Sequence, residues 1–296
     1  MKSLSYYLTL FVIKLKGIKR TFSIDPIDYK KLRNEDIHFP KKRYFKRRSY
    51  VKTFTVLNTT VTEVLSEKQS NKLLLFIHGG AFVYGPVKHH WDTIEKISRQ
   101  TGHTIWMCDY PKAPEHKISE ISRNIDKVYN SALEKVGSDN ILCIGDSVGA
   151  TLLITLTQRL IQNSRNLPGK LFLISPVIDP SFKNPDIDSI EDKDPILSKR
   201  GVVSAKLMCA DHQNLSDPLL SPISGSFEKF PETVVFAAEN DISYPDQKLF
   251  LKELEKERVI TKVYIGEGMP HIWPLLPVMR EAREALNTII KLLNEE

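Results

Sequence analysis

Short, solidly apolar runs recur along this chain from about residue 54, and amphipathic stretches lie between them. Leu73-Leu74-Leu75-Phe76-Ile77 has no polar residue on either face, which suits a strand of a parallel sheet covered on both sides. Strands are predicted over 54–61, 72–78, 103–109, 140–144, 170–176, 233–238 and 261–265. Helices are predicted over 119–136, 147–162, 247–259 and 275–293, the last with Ala282, Ala285, Leu286, Ile289 and Leu293 on one stripe. This alternation argues for an open α/β sheet. The interval 180–230 breaks the rhythm. It is rich in Pro, Ser and Asp, too long for a bare loop, and reads as an inserted helical subdomain.

Residues 4–18 place Leu4, Tyr7, Leu8, Phe11, Leu15 and Ile18 on one helical face, followed by Lys14, Lys16, Lys19 and Arg20. The apolar run is too short to span a bilayer, and no small-x-small cleavage site follows it. The helix either packs on the protein's own body or lies on an anionic membrane, helped by the basic run 41–48. Charge sharpens the contrast: residues 1–53 hold 15 basic and 4 acidic side chains, net +11, and the remainder 27 and 32, net −5. A nucleic-acid partner is disfavoured, since Tyr44 and Phe45 alone make a poor stacking platform. The three cysteines form no CxxC pair and read as buried thiols of a reducing compartment, so a cytoplasmic location is expected and no metal site is indicated.

Gly145-Asp146-Ser147-Val148-Gly149 matches G-x-S-x-G between a predicted strand and a predicted helix. A sharp strand-to-helix turn needs small neighbours there, lifts the serine hydroxyl from the sheet and sets it at a helix N-terminus. Ser147 is the candidate nucleophile. His78-Gly79-Gly80-Ala81 leaves the strand before it, and its glycines let backbone N–H groups approach a ligand. Gly79, Gly80 and Val148 are the expected oxyanion donors, and His78 is expected to hold the loop. A serine needs a base and an orienting acid. Asp241 and His271 each follow a late predicted strand, in the order serine, acid, histidine. His212, Glu239 and Asp246 are rivals, and His89 and His90 are expected to be solvated before a helix start. Tyr84, Trp91, Met208 and Trp273 are candidates to line a substrate pocket.

With these blocks in place, the chain resembles the hormone-sensitive-lipase-like family of α/β-hydrolase carboxylesterases. Tyr110-Pro111-Lys112-Ala113-Pro114-Glu115-His116, Asp217-Pro218-Leu219-Leu220-Ser221-Pro222 and Glu239-Asn240-Asp241 add to the resemblance. It implies a mostly parallel eight-stranded sheet flanked by helices, with a helical cap from about 1–45 and 180–225. It also implies a cofactor-independent serine esterase for short- to medium-chain acyl esters, working through an acyl-enzyme. Ala81 stands for the family's usual third glycine, Val148 and Ala150 for its Ala and Gly, and Asp241-Ile242-Ser243-Tyr244-Pro245 departs from its stretch after the acid. A deacetylase, amidase or lipase on the same fold stays open. A non-catalytic binding protein is disfavoured because all three triad members are present. The expected partner is a small-molecule ester, with peripheral membrane contact and a homodimer left open.

Overall fold

The computed structural model describes residues 2–40, 45, 49–66 and 70–295. The basic run 41–48 lies outside the described residues apart from Phe45. Eight strands form one sheet: β1 (Ser49–Val56), β2 (Thr59–Ser66), β3 (Leu73–Ile77), β4 (Thr104–Asp109), β5 (Ile141–Asp146), β6 (Lys170–Ile174), β7 (Glu232–Asn240) and β8 (Thr261–Pro270). Their spatial order is β1-β2-β4-β3-β5-β6-β7-β8. Pairing is antiparallel from β1 to β2 and from β2 to β4, and parallel from β4 through β8. The helices are α1 (Leu4–Leu15), α2 (Ile18–Phe22), α3 (Tyr29–Leu32), α4 (Lys88–Thr101), α5 (Ile118–Val136), α6 (Val148–Gln162), α7 (Lys199–Cys209), α8 (Tyr244–Lys256) and α9 (Arg280–Asn294).

The pleat explains why the central strands are apolar throughout. Successive side chains point to opposite faces. Leu73, Leu75 and Ile77 therefore enter the core shared with α5, α6 and α8, whereas Leu74 and Phe76 enter the one shared with α4 and α9. Ile141/Cys143 against Leu142/Ile144, and Leu171/Leu173 against Phe172/Ile174, divide in the same way. Neither face meets water, so neither tolerates a polar residue. The stripe predicted on the last helix is buried as expected.

The structure departs from the predicted elements in four places. The single strand expected at 54–61 is the junction of a hairpin, whose turn at Leu57-Asn58 holds Leu57 at φ 50°. No glycine marks that turn, so the pattern runs through it. The helix α4 was expected only as a start after His89 and His90, with no range, because His89, His90, Asp92, Lys96 and Arg99 dilute its stripe of Trp91, Ile94 and Ile97; it begins at Lys88 and takes in both histidines. The interval 180–230 holds one α-helix, α7, among short turns. In α1, the stripe Leu4, Tyr7, Leu8, Phe11 and Leu15 faces outward and is exposed, while Tyr6 and Ile13 are buried against the body. The helix is tied down at its start: Ser3 Oγ donates to Glu281 Oε2 at 2.7 Å and Tyr6 Oη to the Gly268 carbonyl at 2.8 Å. Gly17, in the left-handed region at φ 63°, turns the chain into α2. There α2 meets α7 so closely that a Cβ at Gly201 would lie 2.0 Å from the Phe22 carbonyl oxygen.

Candidate active site

The parallel register brings the chemistry to the carboxyl ends of the strands. Ile77 of β3 lies opposite Gly145 of β5, so the loop after β3 meets the turn after β5. In that turn Ser147 separates β5 from α6 with φ 52° and ψ −120°, a conformation that non-glycine residues adopt only when their surroundings enforce it. The enforcement is visible. The Ser147 N–H donates to the Ile174 carbonyl of β6 at 2.8 Å, and the Ser147 carbonyl accepts from Thr151 N at 3.2 Å. A Cβ on Gly149 would stand 2.0 Å from the Ile77 carbonyl oxygen, and one on Gly145 would stand 2.7 Å from the Gly149 carbonyl carbon. The glycines thus let α6 start directly against β3, with the serine at the helix N-terminus where partial positive charge gathers.

The loop after β3 is closed by two N–H donors, Val83 and Tyr84, on the Gly80 carbonyl at 2.9 and 3.1 Å. Gly80 has φ 120°, and a Cβ there would lie 2.1 Å from the Tyr84 carbonyl oxygen. The three expected oxyanion donors are placed differently. Gly80 and Val148 line one cavity with Ser147, together with Ala81. The Gly79 N–H instead donates to Asp146 Oδ1 at 2.9 Å, and Gly79 is not among the lining residues. His78 is fully buried, stacks on Tyr110 with the rings 4.5 Å apart, and donates from Nδ1 to the Gly79 carbonyl at 2.6 Å. Burial drops its pKa to about 4, so it stays neutral and holds the loop.

Asp241 follows β7 and His271 follows β8. A register shift between Ala238 and Asn240 places Asn240 opposite Pro270, bringing the two loops side by side. His271 Nδ1 donates to Asp241 Oδ2 at 2.7 Å. That carboxylate is completely buried, yet it also accepts from Ser243 N at 2.8 Å, Ser243 Oγ at 2.6 Å and Gln247 Nε2 at 3.1 Å. Burial opposes its charge, but His271 and the Ser243 donors outweigh burial and hold its pKa below the usual range. Burial equally opposes charge on His271, and the Asp241 carboxylate reverses this, raising the histidine above its ordinary value.

Ser147 and His271 line the same cavity of about 50 Å³. Of the four predicted pocket residues, Tyr84 alone reaches it. Trp91 is core, its Nε1 donating to the Ile37 carbonyl at 2.7 Å, and Trp273 is held behind the sheet by a 3.1 Å bond from its Nε1 to the Ala237 carbonyl. Met208 packs at the edge of the core and is absent from the lining. Much of the remaining lining comes from the N-terminal segment and the insertion: Phe22 of α2, Ile196 and Leu197 before α7, and Val202 and Lys206 on α7. Nothing in the pattern of those segments marked them as lining residues. Of the rival site residues, Asp246 is buried and bonded to Asn184 Nδ2 at 2.8 Å, and Glu239 Oε2 accepts from Gly268 N at 2.9 Å. His212 sits in a turn outside the cavity lining.

His89 and His90 depart from the expectation of solvated residues: they lie inside α4, and both line the cavity. With Asp146 they gather three potential ligand atoms within 4.8 Å. Val87 N–H donates to His90 Nδ1 at 2.9 Å, so Nε2 carries the ring proton and turns it toward Asp146 and His89. A metal ion would have to displace that proton, so the trio is better suited to hydrogen bonding than to ligation. Asp194 is a further group that the sequence did not single out. Its buried carboxylate accepts from the N–H groups of Ile196 at 2.8 Å, Leu197 at 2.9 Å and Ile242 at 3.0 Å, fastening the insertion to the loop of Asp241. Burial, reinforced by the Asp241 charge, raises it to about 7.

Residues 74–275 match the family model of the alpha/beta hydrolase fold. The chain belongs to that family. It is 29% identical over 230 residues to an esterase of Acinetobacter venetianus, covering 77% of this chain and 76% of the relative. A crystal structure of a protein provisionally named an esterase, from Staphylococcus aureus, superposes with a TM-score of 0.88 at 28% identity, covering 97% of this chain and 99% of the other. An esterase of the bacterial hormone-sensitive lipase family superposes with a TM-score of 0.86 at 20% identity, covering 100% of this chain and 99% of the other, which speaks for the fold.

The close approach at the elbow is testable by itself. Gly149→Ala puts a methyl group 2.0 Å from the Ile77 carbonyl oxygen, forcing α6 and β3 apart. We expect a loss of about 1–3 kcal/mol, read as a fall of several degrees in Tm in a thermal scan. An unchanged Tm would mean that the contact between α6 and β3 is looser than described.

Proposed function

We propose that the protein is a serine carboxylesterase for short-chain esters, with Ser147 as nucleophile, His271 as base and Asp241 as its orienting acid. The observation that carries this reading is the buried 2.7 Å His271–Asp241 bond in a site whose cavity also exposes Ser147. His271 Nε2 takes the Ser147 proton as Oγ attacks the ester carbonyl. The N–H groups of Gly80, Ala81 and Val148 are the donors we assign to the oxyanion, since Gly79 is engaged by Asp146. The same nitrogen then gives its proton to the leaving alcohol, and a water deprotonated by His271 cleaves the acyl-enzyme. Asp241 keeps Nδ1–H pointed inward and stabilises the imidazolium while it exists.

Cavity size supports the short chain. About 50 Å³ exceeds the roughly 10–15 Å³ needed for one water, so it has room for only a few heavy atoms. A long triglyceride chain would need another path. In this reading α1–α3 and the insertion between β6 and β7 form the cap, and their Phe22, Ile196, Leu197 and Val202 shape the pocket.

Ser147→Ala should lower kcat on p-nitrophenyl butyrate by roughly 10⁴–10⁶, and full retention of activity would remove Ser147 from its role. The wild-type acid limb of kcat/KM should lie above pH 6.5, because Asp241 raises the His271 pKa and the protonated ring cannot act as base. Asp241→Asn should cut kcat by about 10⁴ and move that limb to lower pH. A limb that stays in place in this variant would speak against Asp241 as the charge acting on His271.

The membrane contact has its own support. Leu4, Tyr7, Leu8, Phe11 and Leu15 of α1 form an exposed apolar face, with Lys14, Lys16 and Arg20 beside it and no acidic residue on α1 or α2. None of the described helices is long and apolar enough to cross a membrane. We assign this face to an anionic bilayer surface, on which apolar burial and cationic attraction act together. The wild type should float with phosphatidylglycerol vesicles and not with phosphatidylcholine vesicles. Leu8→Ser with Phe11→Ser should abolish flotation and leave esterase turnover intact. A dimer in sedimentation that the same double variant dissociates, with no flotation, would assign the face to a second copy and overturn the reading.

A further inference from the structure

Lys206 is the buried cation that the proposed hydrolytic cycle leaves unused. It stands on α7 at 1% exposure and lines the same cavity as Ser147 and His271. Its Nζ has no hydrogen-bond acceptor among the described residues. It lies 4.3 Å from the centroid of the Phe82 ring, whose π face offers a cation a weak partner in place of a carboxylate. Phe22, Val177, Ile196, Leu197 and Val202 form the apolar part of the lining, and its one carboxylate among the described residues, Asp146, faces the Gly79 N–H and His90, leaving Lys206 without an ion-pair partner. Cys209, one turn further along α7, is buried and its thiol pKa is raised by that burial, so it supplies no counter-charge.

A purely structural lysine would be expected to find a partner, because an unpaired buried charge is strongly unfavourable. This fold meets that demand elsewhere. The buried Glu63 carboxylate receives Lys52 at 2.9 Å, Trp106 Nε1 at 2.8 Å, and Lys135. At position 206 a Met or Leu would fill the space without the electrostatic penalty. Burial lowers the Lys206 pKa to about 7, which leaves an amine ready to take up a proton when an anion arrives. The approach is favourable too: α2, which contributes Phe22 to the lining, carries Lys19 and Arg20 and no acid.

Resting on the serine-esterase reading, we propose that Lys206 is a specificity-determining residue that selects esters carrying a carboxylate a few bonds from the scissile carbonyl. The incoming carboxylate supplies the partner that the fold withholds, and an apolar substrate of the same shape leaves the amine unpaired.

The test uses full-length protein and two pairs of esters in which an isopropyl group replaces the carboxylate. Monoethyl succinate against ethyl 4-methylpentanoate places the charge on the acyl side. Acetoxyacetate against isobutyl acetate places it on the alcohol side. In at least one pair the wild type should favour the carboxylate ester about 10-fold or more in kcat/KM. Lys206→Met should reduce that preference about 10- to 100-fold, mainly through KM, with Tm unchanged or raised, since it removes an unpaired buried amine. A wild type that favours the apolar member of both pairs overturns the proposal. So does a variant with lowered Tm in which both members of each pair fall together, as a structural lysine would give. Failure of the serine-esterase reading looks different: the wild type would turn over none of the four esters. Calorimetric binding of monoethyl succinate to Ser147→Ala, with and without Lys206→Met, then still decides whether Lys206 holds the carboxylate. Equal affinity in the two proteins overturns it.

Discussion

The site depends first on how closely one turn can approach one strand. At the end of β5 the chain must reverse into α6 while β3 runs alongside, and Gly149 meets the Ile77 carbonyl with no space for a methyl group. That contact fixes Ser147 in a conformation it would not choose alone, and Ile174 secures it from the other neighbouring strand. The loop after β3 inherits its position from the same contact. Gly79 can give its N–H to Asp146 only because the two strand ends lie side by side, and Gly80 then turns toward the cavity. A shift of one residue in the β3–β5 register would exchange inward and outward side chains and undo all of this at once.

Around that frame the protein manages buried charge in two ways. Asp241 is fully enclosed, and its oxygens accept from His271, Ser243 and Gln247, so it keeps its negative charge. Asp194, almost as enclosed, accepts only backbone N–H groups beside a second carboxylate, and its pKa rises instead. Asp194 ties the insertion to the loop of Asp241, so the segment that supplies part of the cavity wall is fastened beside the Asp241–His271 pair. Lys206 stands outside both arrangements, since the fold gives it an aromatic face and nothing more.

The central strands were legible because solid apolar runs have few alternatives to a sheet covered on both sides. Ser147, Asp241 and His271 were legible as candidates because each sits just after such a run, in a fixed order. The β1–β2 hairpin was not legible. Leu57 adopts a positive φ with no glycine to advertise it, so two strands read as one. Helix α4 was legible only as a start after His90, because His89 and His90, which line the cavity, look like surface residues in one dimension. The pocket candidates fared unevenly for a related reason. Large apolar side chains serve core and cavity equally well, and Tyr84 reaches the cavity while Trp91 and Trp273 fill the core.

By itself the sequence determined the alternation of strands and helices, the G-x-S-x-G turn and the order of the candidate triad. All of these are local: they depend on the period of apolar residues and on small residues at sharp bends. The tertiary structure decided which N–H groups remain free, which apolar face of α1 is covered, and which side chains from residues far apart in the chain enclose the cavity. These follow from strand register and from the packing of α2 against α7, and no window of neighbouring residues contains that information. The N-terminal charge shows the difference plainly. The sequence located it, but only the packing of Tyr6 and Ile13 left Leu4, Tyr7, Leu8, Phe11 and Leu15 facing outward beside it.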